Sequence, residues 1–193
     1  MDSKREYWIK NMVCRRCLKV IQQELEAIKV MVHSLELGKL SVLIDADTDR
    51  NFEKQIVNIL HQNGFEIAKS EDEMIVENIK LTLIELISEL PIDMKKNTSE
   101  HLAALLCRDY KILSKIFSKN EHITIEKYFI KLKIEKAKEL IQMQQQTFSD
   151  ISYQLDYSSV NHLSRQFKKI TGLSMTDYKN SPIWERNFFD EII

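Results

Sequence analysis

Cys14 and Cys17 are the residues whose type and spacing most directly indicate chemistry. They lie in the stretch NMVCRRC, immediately before an apolar, helix-like run. At the start of a helix, the free backbone amides and the flanking Arg15 and Arg16 favour thiolates over thiols. Two neighbouring thiolates suit a soft ion such as Cu(I) in near-linear coordination, and their softness excludes Mg and Ca. Tetrahedral zinc would require two further ligands.

Three interpretations of this cysteine pair stay open at the level of sequence. The thiols bind a metal ion, they form a reversible disulfide, or the surrounding domain works through protein contacts or an unrelated ligand. Cys107 is distant in sequence and is predicted to be a small packed residue rather than a third ligand. Met12 is expected in the core.

Composition and charge limit the classes of protein to which this chain can belong. The chain has 193 residues with 44% hydrophobic content, which is enough for an ordinary buried core. No apolar run approaches the roughly 20 residues of a membrane span, and no secretory signal is visible, so a soluble cytoplasmic protein without a membrane partner is expected. The net charge is −1, but residues 97–180 carry 13 Lys and Arg against 9 Asp and Glu. This basic excess is typical of a nucleic-acid-binding surface.

Residues 1–70 alternate strand and helix patterns. REYWIKN is a strand, CLKVIQQELEAI a one-sided helix, and VMVHSLEL with KLSVLID a hairpin around Gly38. NFEKQIVNILHQNGF is a second helix with Gly64 suited to its C-terminal cap, and EIA is a last strand. The order βαββαβ predicts an α+β, ferredoxin-like N-terminal domain.

Residues 71–180 follow a helical pattern, and an apolar tail occupies 181–193. Two similar blocks, SEHLAALLCRDYKILSKIF and SDISYQLDYSSVNHLSRQF, each read as a short helix, a tight turn and a second helix. The long helix ITIEKYFIKLKIEKAKELI joins them. The pattern predicts an all-α domain with two helix-turn-helix units.

This C-terminal region resembles the DNA-binding domain of the AraC/XylS family of transcription regulators. The most diagnostic parts are IEKAKELI and LDYSSVNHLSRQFKKITGLSMTDYK. The resemblance implies double-stranded DNA as partner, with the second helix of each unit in a major groove and the two grooves about one turn apart on one face of the duplex. For an activator it also implies contact with RNA polymerase. Asp156 stands where the family usually has Gly, and Tyr157 where it usually has Phe, but Asp tolerates the left-handed conformation of a turn.

The resemblance places the reading helices at about residues 109–119 and 158–169, with Asp109 and Ser158 as N-caps. Helical spacing assigns Leu113, Ile116, Phe117, Leu163 and Phe167 to the core. The outward residues are Tyr110, Lys111, Ser114, Lys115 and Lys119 in the first helix, and Ser159, Val160, Asn161, His162, Arg165, Lys168 and Lys169 in the second.

Side-chain chemistry divides these residues into base readers and phosphate contacts. Arg165 matches the N7 and O6 atoms of guanine, Asn161 matches adenine, and Val160 suits a thymine methyl group. Lysines such as Lys111 and Lys169 are expected to reach phosphates, where charge counts and sequence does not.

The N-terminal region resembles the heavy-metal-associated domain of copper chaperones and metal-transporting ATPases. NMVCRRC and HQNGFEIA carry this resemblance over about residues 5–70, with Asn11 replacing the usual Gly of that motif and Gly64 and Phe65 matching it. It implies Cys14 and Cys17 as ligands of Cu(I) or another soft ion. A short connection between the domains would let such a ligand alter the placement of the reading helices.

The sequence therefore predicts a DNA-binding regulator whose N-terminal domain senses a soft metal ion. Alternatives are a regulator with a metal-independent dimerisation or partner-binding module, a cytosolic metal carrier, and a thiol redox protein. No catalytic constellation is visible, so enzyme activity is not expected. The tail has Trp184, Phe188, Phe189, Ile192 and Ile193 at helical spacing and is expected to pack on the first domain or on another subunit of a homodimer.

Overall fold

The computed structural model describes residues 3–44, 49–92, 97–187 and 192. The chain divides into two compact units, Met1–Leu81 and Thr82–Ile193, and each is described by itself. None of the described helices is long and apolar enough to cross a membrane.

The N-terminal unit has the predicted element order βαββαβ, followed by the start of a further helix. Its elements are β1 (Ser3–Lys10), α1 (Arg15–Ala27), β2 (Met31–Glu36), β3 (Lys39–Ile44), α2 (Asp49–Gln62), β4 (Glu66–Ile67) and α3 (Glu71–Ser88), whose residues up to Leu81 belong to this unit.

The four strands form one antiparallel sheet in the order β2-β3-β1-β4. Buried residues alternate along the strands, as Tyr7 and Ile9 do in β1, so one face of the sheet is apolar. The helices supply buried residues four positions apart, such as Ile21 and Leu25 in α1. These side chains belong to one hydrophobic core, which also contains Met12, as expected.

Gly38 shapes the hairpin between β2 and β3. Its φ is +75°, and its carbonyl accepts a hydrogen bond of 2.8 Å from the Ile9 amide. A Cβ atom at this position would lie 2.7 Å from Cδ1 of Leu81. Both the backbone conformation and the close approach therefore favour glycine at this position.

Replacing Gly38 with Ala should lower the free energy of unfolding by about 2 kcal/mol, since the left-handed φ and the displacement of Leu81 each cost about 1 kcal/mol. Gly64→Ala is the matched control, because Gly64 has φ +79° with no atom within 4 Å of the added Cβ, and it should lose only the backbone part. Urea unfolding followed by circular dichroism compares the two variants. Equal losses would show that Leu81 yields without cost.

The C-terminal unit contains helices and no strand among its described residues. Besides the end of α3 it contains α4 (Thr98–Leu105), α5 (Tyr110–Glu121), α6 (Ile125–Met143), α7 (Phe148–Gln154), α8 (Val160–Thr171) and α9 (Met175–Lys179). These helices match the two predicted helix-turn-helix units, α4–α5 and α7–α8, and the predicted linking helix α6.

Local capping explains where these helices begin and end. Side chains of Asn97, Thr124, Thr147 and Ser174 accept hydrogen bonds from first-turn amides of α4, α6, α7 and α9. Gly172 ends α8 in the left-handed conformation, which suits glycine at a helix C-terminus.

Residues 181–187, the described part of the C-terminal tail before Ile192, are not helical, although the sequence places the apolar residues of the tail at helical spacing. Within this segment the Ser181 hydroxyl donates to the Ile183 carbonyl (2.6 Å), and further polar groups bond to neighbouring elements. The Trp184 indole N–H donates to the Tyr178 carbonyl (3.1 Å), and the Arg186 guanidinium lies 2.9 Å from the Glu139 carboxylate. These partners hold the segment on α9 and α6, elements of its own unit.

Ile192 is also buried, and its carbonyl accepts a hydrogen bond of 3.0 Å from the Lys131 ammonium of α6. The described contacts of the tail are thus made within the C-terminal unit. Phe188, Phe189 and Ile193, which the sequence also assigns to the apolar face of the tail, lie outside the described residues.

Candidate nucleic-acid interface

The two helix-turn-helix units share one framework, repeated at a spacing of 50 residues in their second helices. Leu113 and Phe117 of α5 are fully buried, and so are Leu163 and Phe167 of α8. The ring centroids of Phe117 and Tyr128 are 5.5 Å apart, as are those of Phe167 and Tyr178. Each second helix is therefore anchored through the same aromatic pair to the helix that follows it. Ile116, also predicted to be core, is only half-buried.

A residue in the left-handed conformation forms the turn in each unit. Cys107 has φ 50° and Asp156 has φ 55°. The next amide closes each turn, with Arg108 donating to the Ala103 carbonyl (3.2 Å) and Tyr157 to the Ser152 carbonyl (3.0 Å). Asp156 thus takes the conformation expected of it. Cys107 is exposed, so the prediction of a packed cysteine is wrong, because the turn directs this position to the surface.

The second turn is one residue longer than the first, and this changes the N-cap. Asp109 caps α5 by accepting a hydrogen bond of 2.7 Å from the Lys111 amide. In α8 the cap is Ser159, whose hydroxyl accepts from the His162 amide at 3.2 Å. The prediction of Ser158 as the cap is therefore wrong by one position, and the Ser158 hydroxyl instead lies 3.2 Å from Nδ1 of His162.

Lys133 of α6 supports the second turn from the interior of the unit. Its ammonium lies 3.9 Å from the Asp156 carboxylate, over the ring of Phe129 (4.8 Å) and over that of Tyr157 (5.3 Å). Burial lowers the pKa of Lys133, and the Asp156 carboxylate opposes this effect. Burial also raises the pKa of Tyr157 to about 12. Asp156 and Tyr157 thus share Lys133 as a cationic neighbour.

The outward face of α5 is dominated by lysines. Lys111, Lys115 and Lys119 are exposed, whereas Ser114 is half-buried. The Tyr110 hydroxyl donates to the Glu126 carboxylate at the start of α6, and burial together with this hydrogen bond raises the pKa of Tyr110. The phenol proton is consequently engaged within the protein.

Ile112 lies on the same outward face, and the sequence reasoning missed it as a candidate. Its side chain is 51% exposed, one residue after Lys111 and three before Lys115. The available signal was position, because Ile112 stands 50 residues before His162, which was among the predicted residues.

The outward face of α8 carries a wider range of hydrogen-bonding groups. Asn161, Arg165, Lys168 and Lys169 are exposed. The Nε–H of Arg165 donates to the Asn161 carbonyl (3.3 Å), so its terminal nitrogens hold the remaining donors. The helix contains no acidic residue. It therefore presents a cationic face with both a guanidinium and an amide group.

Three other predicted residues of α8 are partly engaged within the protein. Val160 and His162 are half-buried, and the His162 ring meets the Tyr157 ring edge-on with centroids 5.2 Å apart. Ser159 is exposed, but its hydroxyl serves as the helix cap. The groups best placed for an external partner are therefore Asn161 and Arg165.

The cysteine pair forms a separate candidate site in the N-terminal unit. The sulfur atoms of Cys14 and Cys17 lie 3.1 Å apart at the start of α1. For Cys14, burial raises the pKa, but the hydrogen bond to Cys17 and the nearby backbone amides outweigh burial, so the pKa is lowered. For Cys17, burial raises the pKa and the same hydrogen bond raises it further. Cys14 is thus the more readily ionised partner. Among the described residues, no group of three or more potential metal ligands occurs.

The loop before these cysteines is held by α3. Asn11 has φ 67°, and its amide donates to the Glu77 carboxylate at 3.1 Å. Glu77 is buried, and its second oxygen lies 3.1 Å from the Lys80 ammonium. Asn11 therefore adopts a left-handed conformation, which Asn tolerates better than most residues, and a carboxylate is its backbone partner.

Comparison with known proteins agrees with the geometry of the C-terminal unit. Residues 102–181 match the family model described as a helix-turn-helix domain. The structure is similar to the C-terminal domain of AraT, a response regulator from Geobacillus stearothermophilus, with TM-score 0.51 and 22% identity over 60% of this chain and 92% of that chain. An AraC-type regulator from Chromobacterium violaceum aligns with TM-score 0.45 and 16% identity over 54% of this chain and 96% of that one.

A curated relative is the Escherichia coli (strain K12) protein YkgA, whose name describes an HTH-type transcriptional regulator. The two are 27% identical over 119 residues, which are 60% of this chain and 48% of YkgA. The chain thus spans about half the length of the curated relative it matches.

The C-terminal unit is accordingly a double helix-turn-helix domain. Residues 102–181 match a helix-turn-helix family model, in agreement with the two units that the sequence predicted.

Substituting glycine at the two turn positions should test the support from Lys133. Cys107→Gly should raise the free energy of unfolding by about 0.5–1 kcal/mol, because glycine relieves the left-handed conformation. Asp156→Gly should raise the free energy of unfolding by less, because it also removes the carboxylate beside Lys133. Asp156→Asn removes the charge alone and so measures that part of the effect. Urea unfolding measures all three. An equal increase in the free energy of unfolding at both turns would show that Lys133 does not stabilise the second turn.

Proposed function

We propose that this chain is a sequence-specific, DNA-binding transcription regulator of the AraC type. The observation that carries the proposal is the outward cationic face on the second helix of each helix-turn-helix unit. Lys111, Lys115 and Lys119 form it on α5, and Arg165 and Lys169 on α8. The name of YkgA, which describes a transcriptional regulator, supports the same role.

In this proposal α5 and α8 enter two major grooves about one turn apart on one face of double-stranded DNA. Arg165 pairs with guanine and Asn161 with adenine, because a guanidinium and an amide match the edges of those bases. The lysines bind phosphates and supply most of the non-specific affinity. Contact with RNA polymerase, for an activator, remains a prediction from the resemblance, and pairing into a homodimer remains a prediction from the apolar tail.

The N-terminal unit has a second candidate function, the binding of a soft metal ion. The order βαββαβ and the sheet order β2-β3-β1-β4 support a ferredoxin-like domain of the heavy-metal-associated type. The adjacent sulfurs of Cys14 and Cys17 and the lowered pKa of Cys14 support thiolate coordination. In this proposal a bound Cu(I) would be held by both sulfurs, and it would change the protein's affinity for DNA.

Arg165→Ala should weaken binding to the preferred duplex about 10- to 100-fold and relax the preference at one G·C pair, because a bidentate contact contributes about 1–3 kcal/mol of discrimination. Lys169→Ala, the matched control on the same face, should weaken binding to all duplexes alike and reduce the salt slope by about 1. Selection from a random duplex library, followed by anisotropy titrations at several salt concentrations, measures both effects.

The wild-type chain must first enrich a defined sequence from that library. Failure to enrich any sequence, with no binding to duplex DNA at low salt, would overturn the proposed function. A wild type that binds all duplexes equally would retain DNA binding but contradict sequence-specific recognition.

Reduced wild-type protein should bind one Cu(I) ion per chain in competition with a chelator, whereas Cys14→Ser/Cys17→Ser should not. Cys107→Ser is the control and should bind as wild type does, because Cys107 lies in the other unit. A change in affinity for the selected duplex on copper binding would support a sensor. If the wild type does not outcompete the chelator, the unit works without copper, as a partner-binding or dimerisation module.

A further inference from the structure

Ile112 is an apolar side chain exposed within the cationic face of α5. It is 51% exposed, whereas Leu113, the next residue, is fully buried. Its neighbours on the outward face are Lys111, Lys115 and Lys119, all exposed. Among the described residues, Ile112 therefore supplies this face with an aliphatic group that the core of the unit does not use.

The internal repeat places Ile112 at a position equivalent to one on α8. At the 50-residue spacing that relates the buried anchors of the two helices, Ile112 corresponds to His162. Lys111 corresponds in the same way to Asn161, and Lys115 to Arg165. Ile112 thus stands between Lys111 and Lys115, the two positions of α5 that are equivalent to the best base-reading groups of α8.

An aliphatic group has one specific partner in a major groove, the C5-methyl group of thymine. It neither donates nor accepts a hydrogen bond, so it cannot distinguish the other base edges. The surrounding lysines favour a polyanion, since an apolar protein surface would have to bury their charges. The local chemistry therefore fits DNA better than an apolar protein groove.

We propose that Ile112 is a specificity-determining residue that contacts a thymine methyl group in the half-site read by α5. This inference rests on the proposed function of the chain. It follows that the two half-sites are read by different chemistry. The α5 half-site is recognised by methyl contact and lysine–phosphate attraction, and the α8 half-site by the hydrogen bonds of Arg165 and Asn161.

The test replaces each thymine of the selected duplex in turn by deoxyuridine, which lacks only the C5-methyl group. Base preferences that relax in Arg165→Ala mark the α8 half-site, so the remaining half-site is assigned to α5. Wild-type protein should lose about fourfold in affinity at one or two thymines of the α5 half-site, the value of one buried methyl group. Ile112→Ala should bind the thymine and deoxyuridine duplexes equally at those positions.

Ile170→Ala is the matched control, because Ile170 is 40% exposed in the last turn of α8 and belongs to neither proposed set of contacts. It should keep the wild-type sensitivity to deoxyuridine. Circular dichroism melting checks that both alanine variants retain the fold. This comparison separates the loss of a particular contact from a general loss of exposed apolar surface.

The possible failures of the two proposals are distinguishable. If no duplex is selected, the proposed function itself is overturned. If a duplex is selected and wild type shows no sensitivity to deoxyuridine in the α5 half-site, only the role of Ile112 is overturned. The same conclusion follows if Ile112→Ala retains the sensitivity of the wild type.

Discussion

The burial of α6 is the constraint on which the rest of the C-terminal unit depends. The helix contacts α5, α7, α8 and α9, so both helix-turn-helix units share it as a support. Its buried residues include Lys133, Glu135 and Lys138, and an unpaired buried charge costs several kcal/mol. Glu135 accordingly accepts from Lys138 at 2.7 Å and from the Asn187 amide at 3.1 Å. The carboxylate that pairs with Lys138 within α6 thus also binds the described part of the tail.

The two helix-turn-helix units combine a common framework with different outward faces on α5 and α8. The aromatic pairs Phe117–Tyr128 and Phe167–Tyr178 hold α5 and α8 in the same way. Because the core positions are already used for anchoring, the outward positions are free to differ. On α5 they provide ammonium groups and one aliphatic side chain, whereas on α8 they provide a guanidinium and an amide. In the proposed function, one fold thereby combines non-specific attraction to DNA with recognition of base edges.

In the N-terminal unit, a helix that is distant in sequence also supports the cysteine loop. Glu77 of α3 binds the backbone of Asn11, three residues before Cys14. The loop is thus fixed by a buried carboxylate of α3 as well as by its own sequence. The element order and the cysteine spacing were both visible in the sequence, but this contact joins residues 66 positions apart.

The sequence by itself determined the elements and most of the core, because helix and strand periodicity, turn residues and caps act over a few positions. It correctly predicted the βαββαβ order, the two helix-turn-helix units, and the burial of Leu113 and Leu163. Tertiary structure decided the features that depend on distant partners or on a one-residue difference in length. The cap at Ser159 follows from the longer second turn, and the support of Asp156 comes from Lys133. Residues 186 and 187 of the tail are bonded to α6. The exposure of Ile112 also required the packed structure, since its spacing alone is equally compatible with the edge of a core stripe.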